Sequence, residues 1–419
     1  MVKIIYQVAI QVFAFLFRFV APFNHKIKLG VEGRKGLLRC LRSSFQAQVA
    51  GRPVAWFHAA SLGEFEQGRP VIEAYRNAYP GHFILLTFFS PSGYEIRKDY
   101  AGADFICYLP IDTPSNAREF VEIVNPQIAF FIKYEFWFNY LRELRKNGSY
   151  ILSFSSIFRP DQIFFKPYGG FFRKKLSYFD HFFVQNQTSV SLLESIGVTA
   201  ASIAGDTRFD RVRAIVSNAR ELPEIGRFKG TGQCLIAGSV WEADMQVLIP
   251  ALNALTGKSL KAIIAPHEIR AEEIAGWRSR LNGRSILYSE VAAGQDAAGF
   301  DYLIINNIGM LSSLYRYGNM AYIGGSFGVG LHNILEAATF GLPIVFGNKS
   351  YHRFQEAVDL IERGGAFAVA DGDQLLKMME NWVDNPADAR NAGNISTEYV
   401  KSGTGATDLI MQKVKQAIG

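Results

Sequence analysis

A chain of 419 residues is longer than one hydrophobic core ordinarily supports, and 49% hydrophobic with 20% charged residues excludes a disordered chain, so two folded domains are expected. Cys40, Cys107 and Cys234 are odd in number and lack CxxC spacing, which excludes a disulfide scaffold and a cysteine zinc site and fits a reducing compartment. The net charge of +6 is uneven: residues 1–52 hold nine Lys/Arg against Glu32 alone, a segment charge of +8, and the remainder stands at −2.

In chain order, the first element is a greasy N-terminal helix. Ile4 to Phe17 carries no charge, and 14 residues fall short of the roughly 20 that cross a bilayer. Lys3, Gln7, Gln11 and Arg18, with small Ala14, gather on one side of a helical wheel, the rest being Ile, Val, Phe and Leu. Such a helix lies in a membrane interface or spans with its polar stripe against protein. The adjacent +8 charge favours an anionic lipid surface over nucleic acid. A buried first helix is the competing reading.

From residue 54 short apolar runs alternate with helical stretches, the pattern of a parallel α/β sheet. Strands are predicted at 54–60, 83–88, 105–108, 128–132, 150–154 and 181–184, with helices at 66–78, 114–124, 136–146 and 188–196 between them. A connection follows over 210–231, containing Pro223 and several glycines. A second series has strands at 234–237, 262–265, 285–288, 302–305, 320–323, 343–346 and 366–369, with helices at 268–281, 310–317, 333–339, 354–363 and 373–382. The expected organisation is a membrane-associating segment at 1–35, an α/β acceptor domain at 36–215 and an α/β nucleotide domain at 216–419. Both domains are read as Rossmann-like, doubly wound and facing one cleft.

Ligands of open α/β sheets collect at the carboxyl ends of strands. Glu64, in Ser61-Leu62-Gly63-Glu64, stands there, although Ser61-x-x-Glu64 is also a capping box, and a helix dipole would lower its pKa. Glu135, in Lys133-Tyr134-Glu135-Phe136-Trp137, follows another buried strand, where a helix-start carboxylate is the bland reading. Arg208, in Gly205-Asp206-Thr207-Arg208, can grip a phosphate or pair with Asp206 or Asp210.

The segment Gly324-Gly325-Ser326-Phe327-Gly328-Val329-Gly330, running through His332 to Asn333-Ile334-Leu335-Glu336, reads as a glycine loop entering a helix. Its amides would meet a phosphate and Glu336 a ribose; a capped glycine turn is the alternative. Gly238-Ser239 and Pro266-His267 end strands of the same sheet. No metal-ligand spacing occurs, so no metal is expected. Between Phe158 and Lys175, six aromatics interleave with Lys166, Arg173 and Lys174 among other cations. We assign these three, with Arg52, to acceptor binding, a lipid being preferred to single-stranded nucleic acid.

These motifs, in this order over almost the whole chain, resemble the bacterial 3-deoxy-D-manno-octulosonic acid (Kdo) transferases. The resemblance implies a GT-B glycosyltransferase on the cytoplasmic side of the inner membrane, acting in lipopolysaccharide synthesis. Such an enzyme moves Kdo from CMP-Kdo, a co-substrate, to the lipid A precursor lipid IVA, inverting and without metal or other cofactor. It implies Glu64 as general base and Glu135 and Arg208 as transition-state stabilisers. It also places CMP at Pro266-His267, Ile308-Gly309-Met310 and Asn333-Ile334-Leu335-Glu336. Many members carry Pro at the place of Phe138, an acid at Lys133 and Met310, and Lys at Arg208. A transferase using a UDP-sugar and another acceptor is the same-fold alternative. A nucleotide-binding membrane regulator without catalysis is the alternative from another class.

Overall fold

The computed structural model describes residues 2–419, the side chains at positions 217 and 218 aside. Two compact units emerge, Met1–Asp210 with Thr404–Gly419, and Arg211–Gly403.

The first unit carries seven parallel strands: β1 (Val54–Ala59), β2 (Phe83–Phe88), β3 (Phe105–Tyr108), β4 (Ile128–Ile132), β5 (Tyr150–Ser156), β6 (His181–Val184) and β7 (Ala201–Ile203). They lie in the order β3-β2-β1-β4-β5-β6-β7. Continuous apolar runs such as Ile128–Ile132 are buried throughout because both faces are covered. Trp56, Phe131 and Tyr140 pack on one face, Phe57, Phe130 and Tyr75 on the other. Strand order reverses between β1 and β4, which opens a crevice at their carboxyl ends.

The 216–419 boundary expected for the nucleotide domain is corrected at both ends. The last helix, Ala406–Ile418, belongs to the first unit, where Ala406, Ile410 and Val414 at fourfold spacing bury against the face holding Phe57 and Tyr75. Asp210 fixes its start by accepting the amides of Gly405 (2.6 Å) and Thr407 (2.7 Å). The expected connection at 210–231 is largely helical, with Arg208–Asn218 and Pro223–Lys229. Pro223 opens the second of these because its missing N–H would be unbonded there anyway.

The N-terminal segment packs on the first unit. Helix α1 (Val2–Val20) turns through Ala21–Phe23 into α2 (His25–Glu32), which Asn24 caps. Val2–Phe23 is long and apolar enough to cross a membrane. One stripe of α1 docks: Tyr6 Oη donates to Asp112 Oδ2 (2.5 Å), Gln7 exchanges hydrogen bonds with Asn139, and Ile10 is buried. Ile4, Val8, Phe15 and Phe19 face outward, and of the expected stripe Gln7 and Ala14 are partly buried while Lys3, Gln11 and Arg18 are exposed.

The second unit repeats the architecture with β8 (Gln233–Val240), β9 (Leu260–Pro266), β10 (Ser285–Leu287), β11 (Tyr302–Ile304), β12 (Met320–Ile323), β13 (Ile344–Gly347) and β14 (Ala366–Val369). Its order is β10-β11-β9-β8-β12-β13-β14, all parallel, with the reversal between β8 and β12. Strand β7 and the helices Glu242–Ala254 and Pro386–Ser402 are absent from the sequence reading. The first is three residues at a sheet edge, and the helices carry Pro250 and Gly393, which weaken a helical signature.

Candidate functional site

Glu64 and Glu135 follow β1 and β4, the two strands that flank the first reversal. Glu64 Oε2 accepts the amide of Ala60, one residue before the N-cap, and the Ser61 side chain makes no capping bond, so the reciprocal capping box does not form. Burial first, and then the charge of Glu135, push the Glu64 carboxyl up to about 7, against the lowering pull of the Ala60 amide and Lys133. The dipole-weakened base expected from sequence is thus corrected: desolvation outweighs the helix end.

Glu135 Oε2 meets His58 Nε2 at 3.2 Å and accepts Trp137 Nε1 at 2.6 Å. His58 is fully buried in β1, and its Nδ1 sits 2.9 Å from Thr87 Oγ1. Neither His58 nor Trp137 received a role from sequence. The available signal was a histidine inside an otherwise apolar strand.

Two non-glycine residues near this crevice adopt left-handed backbone, Lys133 (φ 60°) after β4 and Ser155 (φ 54°) in β5. Ser156 Oγ donates to the Lys133 carbonyl at 2.7 Å, holding that bend. Arg208 pairs with buried Asp206, Nε to Oδ2 at 3.0 Å, and Gln67 Nε2 donates to the same oxygen at 2.8 Å. Burial pushes the Asp206 carboxyl up, but the charge and hydrogen bonds of Arg208 more than offset it and leave it lowered. Of the two pairings weighed for Arg208, Asp206 is realised, and Asp210 caps the last helix instead.

In the second unit, Gly238-Ser239 at the end of β8 and Gly325-Ser326 after β12 flank the second reversal. Gly324 approaches so closely that an added Cβ would lie 2.3 Å from the Ser239 carbonyl oxygen, and Gly325 has φ 95°. Ser239 is itself left-handed, at φ 55°. Buried Asp244 organises the loop: Oδ2 accepts the Gly325 and Trp241 amides, and Oδ1 accepts Tyr322 Oη. The amides at 324, 325, 328, 330 and 332 are all bonded within this region, so the glycines shape the loop more than they donate. The amides of Ser326, Asn333 and Ile334 carry no bond to a protein acceptor among the described residues.

His267 stacks on both Trp241 (4.5 Å) and His332 (4.3 Å), whose own rings meet edge to edge, Trp241 Nε1 donating to His332 Nε2 at 3.0 Å. Burial, then the proximity of His267, lower the His332 pKa to about 4, so the ring is neutral with its proton on Nδ1. Trp241, Asp244 and His332 were not assigned from sequence, because their meeting depends on the β8–β12 adjacency. Asn333 Oδ1 accepts the Leu335 amide, and its Nδ2 donates to Glu336 Oε1 (3.2 Å), one residue before the N-cap Ile334. Burial raises the Glu336 pKa while Arg211 opposes. Ile308 is 91% exposed and Gly309 is left-handed, while Leu311, following Met310, packs against Gly238. No group of three His, Cys, Asp or Glu suited to a metal occurs among the described residues.

Two of the residues expected to bind the acceptor have local partners. Arg52 precedes β1, at the opposite edge of the sheet from Glu64. There it bonds the Gln48 and Val49 carbonyls, lies over Phe83 and faces Asp104 at 3.8 Å. Arg173 directs Nη1 at the Phe164 and Lys166 carbonyls, so it closes a local turn. Lys166 is half-buried and Lys174 exposed, whereas Lys175 is buried over the Tyr6 ring at 4.2 Å.

A family model described as 3-Deoxy-D-manno-octulosonic-acid transferase (kdotransferase) matches residues 35–211. The 3-deoxy-D-manno-octulosonic acid transferase of Aquifex aeolicus (strain VF5) is 26% identical over 77% of this chain and 83% of its own. That of Chlamydophila psittaci (strain ATCC VR-125 / 6BC) is 28% identical over 80% of this chain and 78% of its own. Among solved structures, a UDP-GlcNAc 2-epimerase from Neisseria meningitidis bound to UDP-GlcNAc shares the fold. Its TM-score is 0.61 at 13% identity, covering 87% of this chain and all of that one (100%). The two parallel seven-stranded sheets are those of the GT-B type.

Proposed function

Since this chain belongs to the family of 3-deoxy-D-manno-octulosonic acid transferases, we propose that it inverts the sugar centre while moving Kdo from CMP-Kdo to a hydroxyl of lipid IVA. The observation that carries the reading is the Glu64–Glu135 pair at the first reversal, with Glu64 raised to about 7. A carboxylate with a pKa near the working pH suits a general base. In this reaction the acceptor hydroxyl gives its proton to Glu64 as its oxygen bonds the anomeric carbon. The bond from that carbon to the CMP phosphate breaks, and CMP leaves. Glu135, oriented by His58 and Trp137, and Arg208, oriented by Asp206, stabilise the charge that develops.

Donor binding falls to the second unit. The free amides of Ser326, Asn333 and Ile334 suit the CMP phosphate, His267 and His332 its neighbourhood, and Glu336 a ribose hydroxyl. The chain's own residues perform every proton transfer in this scheme without a metal. The exposed apolar face of α1 and the +8 segment hold the protein on the cytoplasmic side of the inner membrane.

The test is Glu64→Gln assayed with CMP-Kdo and lipid IVA. Transfer is expected to fall about 10²–10⁴-fold with CMP affinity unchanged. Undiminished transfer would remove Glu64 from the base role, and a preference for UDP over CMP would remove the donor assignment.

A further inference from the structure

Beside the junction of α1 and α2 the first unit holds a cavity of about 880 Å³ that shares no residue with the Glu64–Glu135 site. Five cations line it, Arg18, Lys28, Arg34, Lys35 and Arg39, against one carboxylate, Glu32. None of the five forms an ion pair among the described residues.

Arg34 is the singular one. Its guanidinium lies against the Phe17, Phe89 and Tyr108 rings at 5.6, 4.8 and 4.8 Å. It spends three N–H groups on neutral carbonyls, Nε on Leu109 (2.7 Å), Nη1 on Gly30 (2.6 Å) and Nη2 on Phe89 (2.6 Å). Two N–H groups and a full charge remain without a protein counter-ion. Burial lowers its pKa to about 10, the mark of a desolvated cation. A buried charge is tolerated when something neutralises it. Among the described residues that line the cavity, nothing of opposite sign occurs except Glu32.

Apart from Asn116 the remaining wall is apolar, including Phe17, Pro22, Leu37 and Ile111. The same junction carries the outward-facing Phe15, Leu16, Phe19 and Phe23, the last 82% exposed. An anion held here therefore sits at the level where an apolar helix face would meet lipid.

We infer that this cavity binds the phosphate of an anionic bilayer phospholipid, with Arg18, Arg34, Lys35 and Arg39 around the phosphate and the chains leaving along the apolar face of α1. Its volume lies within the roughly 300–1,000 Å³ of small-ligand sites. The occupant is a membrane phospholipid rather than the acceptor, because neither Glu64, Glu135 nor His58 lines the space. The inference rests on the membrane reading of α1.

The experiment uses the full-length protein in neutral detergent, titrated with short-chain phosphatidylglycerol. Lys35→Gln/Arg39→Gln removes two lining charges. Lys3→Gln/Lys26→Gln removes two charges of the same basic segment that lie outside the cavity. One saturable site is expected, weakened about tenfold or more by the first pair and within about twofold by the second. Equal weakening by both pairs would reduce the site to diffuse surface attraction and overturn it, as would the absence of saturable binding. Equal occupancy by inorganic phosphate, or displacement by lipid IVA with a raised acceptor KM in the Lys35/Arg39 variant, would overturn the bilayer source. Flotation on phosphatidylcholine vesicles, with and without phosphatidylglycerol, tests the membrane reading separately. A protein that floats with neither yet binds the short-chain lipid refutes that reading and leaves the phosphate site standing.

Discussion

The two sheets share a strand order and differ in what they place at its reversal. In the first unit the carboxyl ends of β1 and β4 present Glu64 and Glu135, two acids whose interaction helps bring one of them to about 7. In the second, β8 and β12 present backbone and small residues, with the one strongly shifted histidine of the stack, His332, held neutral. On the proposed function, one crevice exchanges a proton and the other holds a charged group without exchanging one. The same topology serves both because function sits in the turns that follow the strands, not in the strands.

The broadest test of treating the units separately is deletion of residues 404–419. Ala406, Ile410 and Val414 are fully buried against the first sheet, so at about 1.5–3 kcal/mol per large side chain the first unit loses roughly 4 kcal/mol. Calorimetry should show that transition lowered while CMP binding persists. Loss of CMP binding in the same variant would break the separation. Next in size is Gly325→Ala, which places a Cβ 2.2 Å from the Gly330 carbonyl oxygen at φ 95°. CMP affinity should fall roughly tenfold to a hundredfold, a cost of about 1–3 kcal/mol. The thermal stability contributed by the first sheet should not move.

These variants also mark where sequence reasoning stopped. The apolar runs at β2, β4 and β12 are legible to the residue, because strands buried on both faces have no polar phase to blur their ends. The placement of Glu64 and Glu135 beyond the carboxyl ends of β1 and β4 is legible because each stands within five residues of an apolar strand. His58, Asp244, Trp241 and His332 are not, since each acquires its partner from a strand or loop distant in sequence, as Trp241 meets His332 across 91 positions. The position of Arg52 is illegible for a related reason. It is close to Glu64 in number, but a strand of six residues separates them and carries them to opposite edges of the sheet.

A sharper contrast comes from titrating the Glu64 carboxyl. Its folded value is raised above the ordinary 4.5, so ionisation opposes the fold. The stability it contributes is full below about 4.5 and lost as pH rises through about 7. Glu64→Gln should therefore be the more stable protein by about 1–2 kcal/mol above pH 7, after allowing for partial exposure, and equal to the parent in acid. Melting curves across that window check the sign, and in the parent the transfer rate should rise through the same range. A constant difference at all pH values would mean that Glu64 acts in the fold chiefly as a cap.

The smallest expected effect tests the other crevice. Trp241→Phe keeps an aromatic ring beside His267 but removes the N–H given to His332 Nε2. That hydrogen bond favours the neutral imidazole, and its loss, worth about 1 kcal/mol, should raise the His332 pKa from about 4 by up to roughly one unit. Because the folded value is lowered, the stability owed to the neutral ring is present above the ordinary histidine range and lost as pH falls towards about 4. The variant loses less of it on acidification. NMR titration of the ring reads the shift directly, and CMP affinity measured over the same acid range reports whether a newly charged His332 reaches the nucleotide. An unmoved titration would mean that burial alone keeps the ring neutral, and Trp241 would then serve the second crevice only through its stacking on His267.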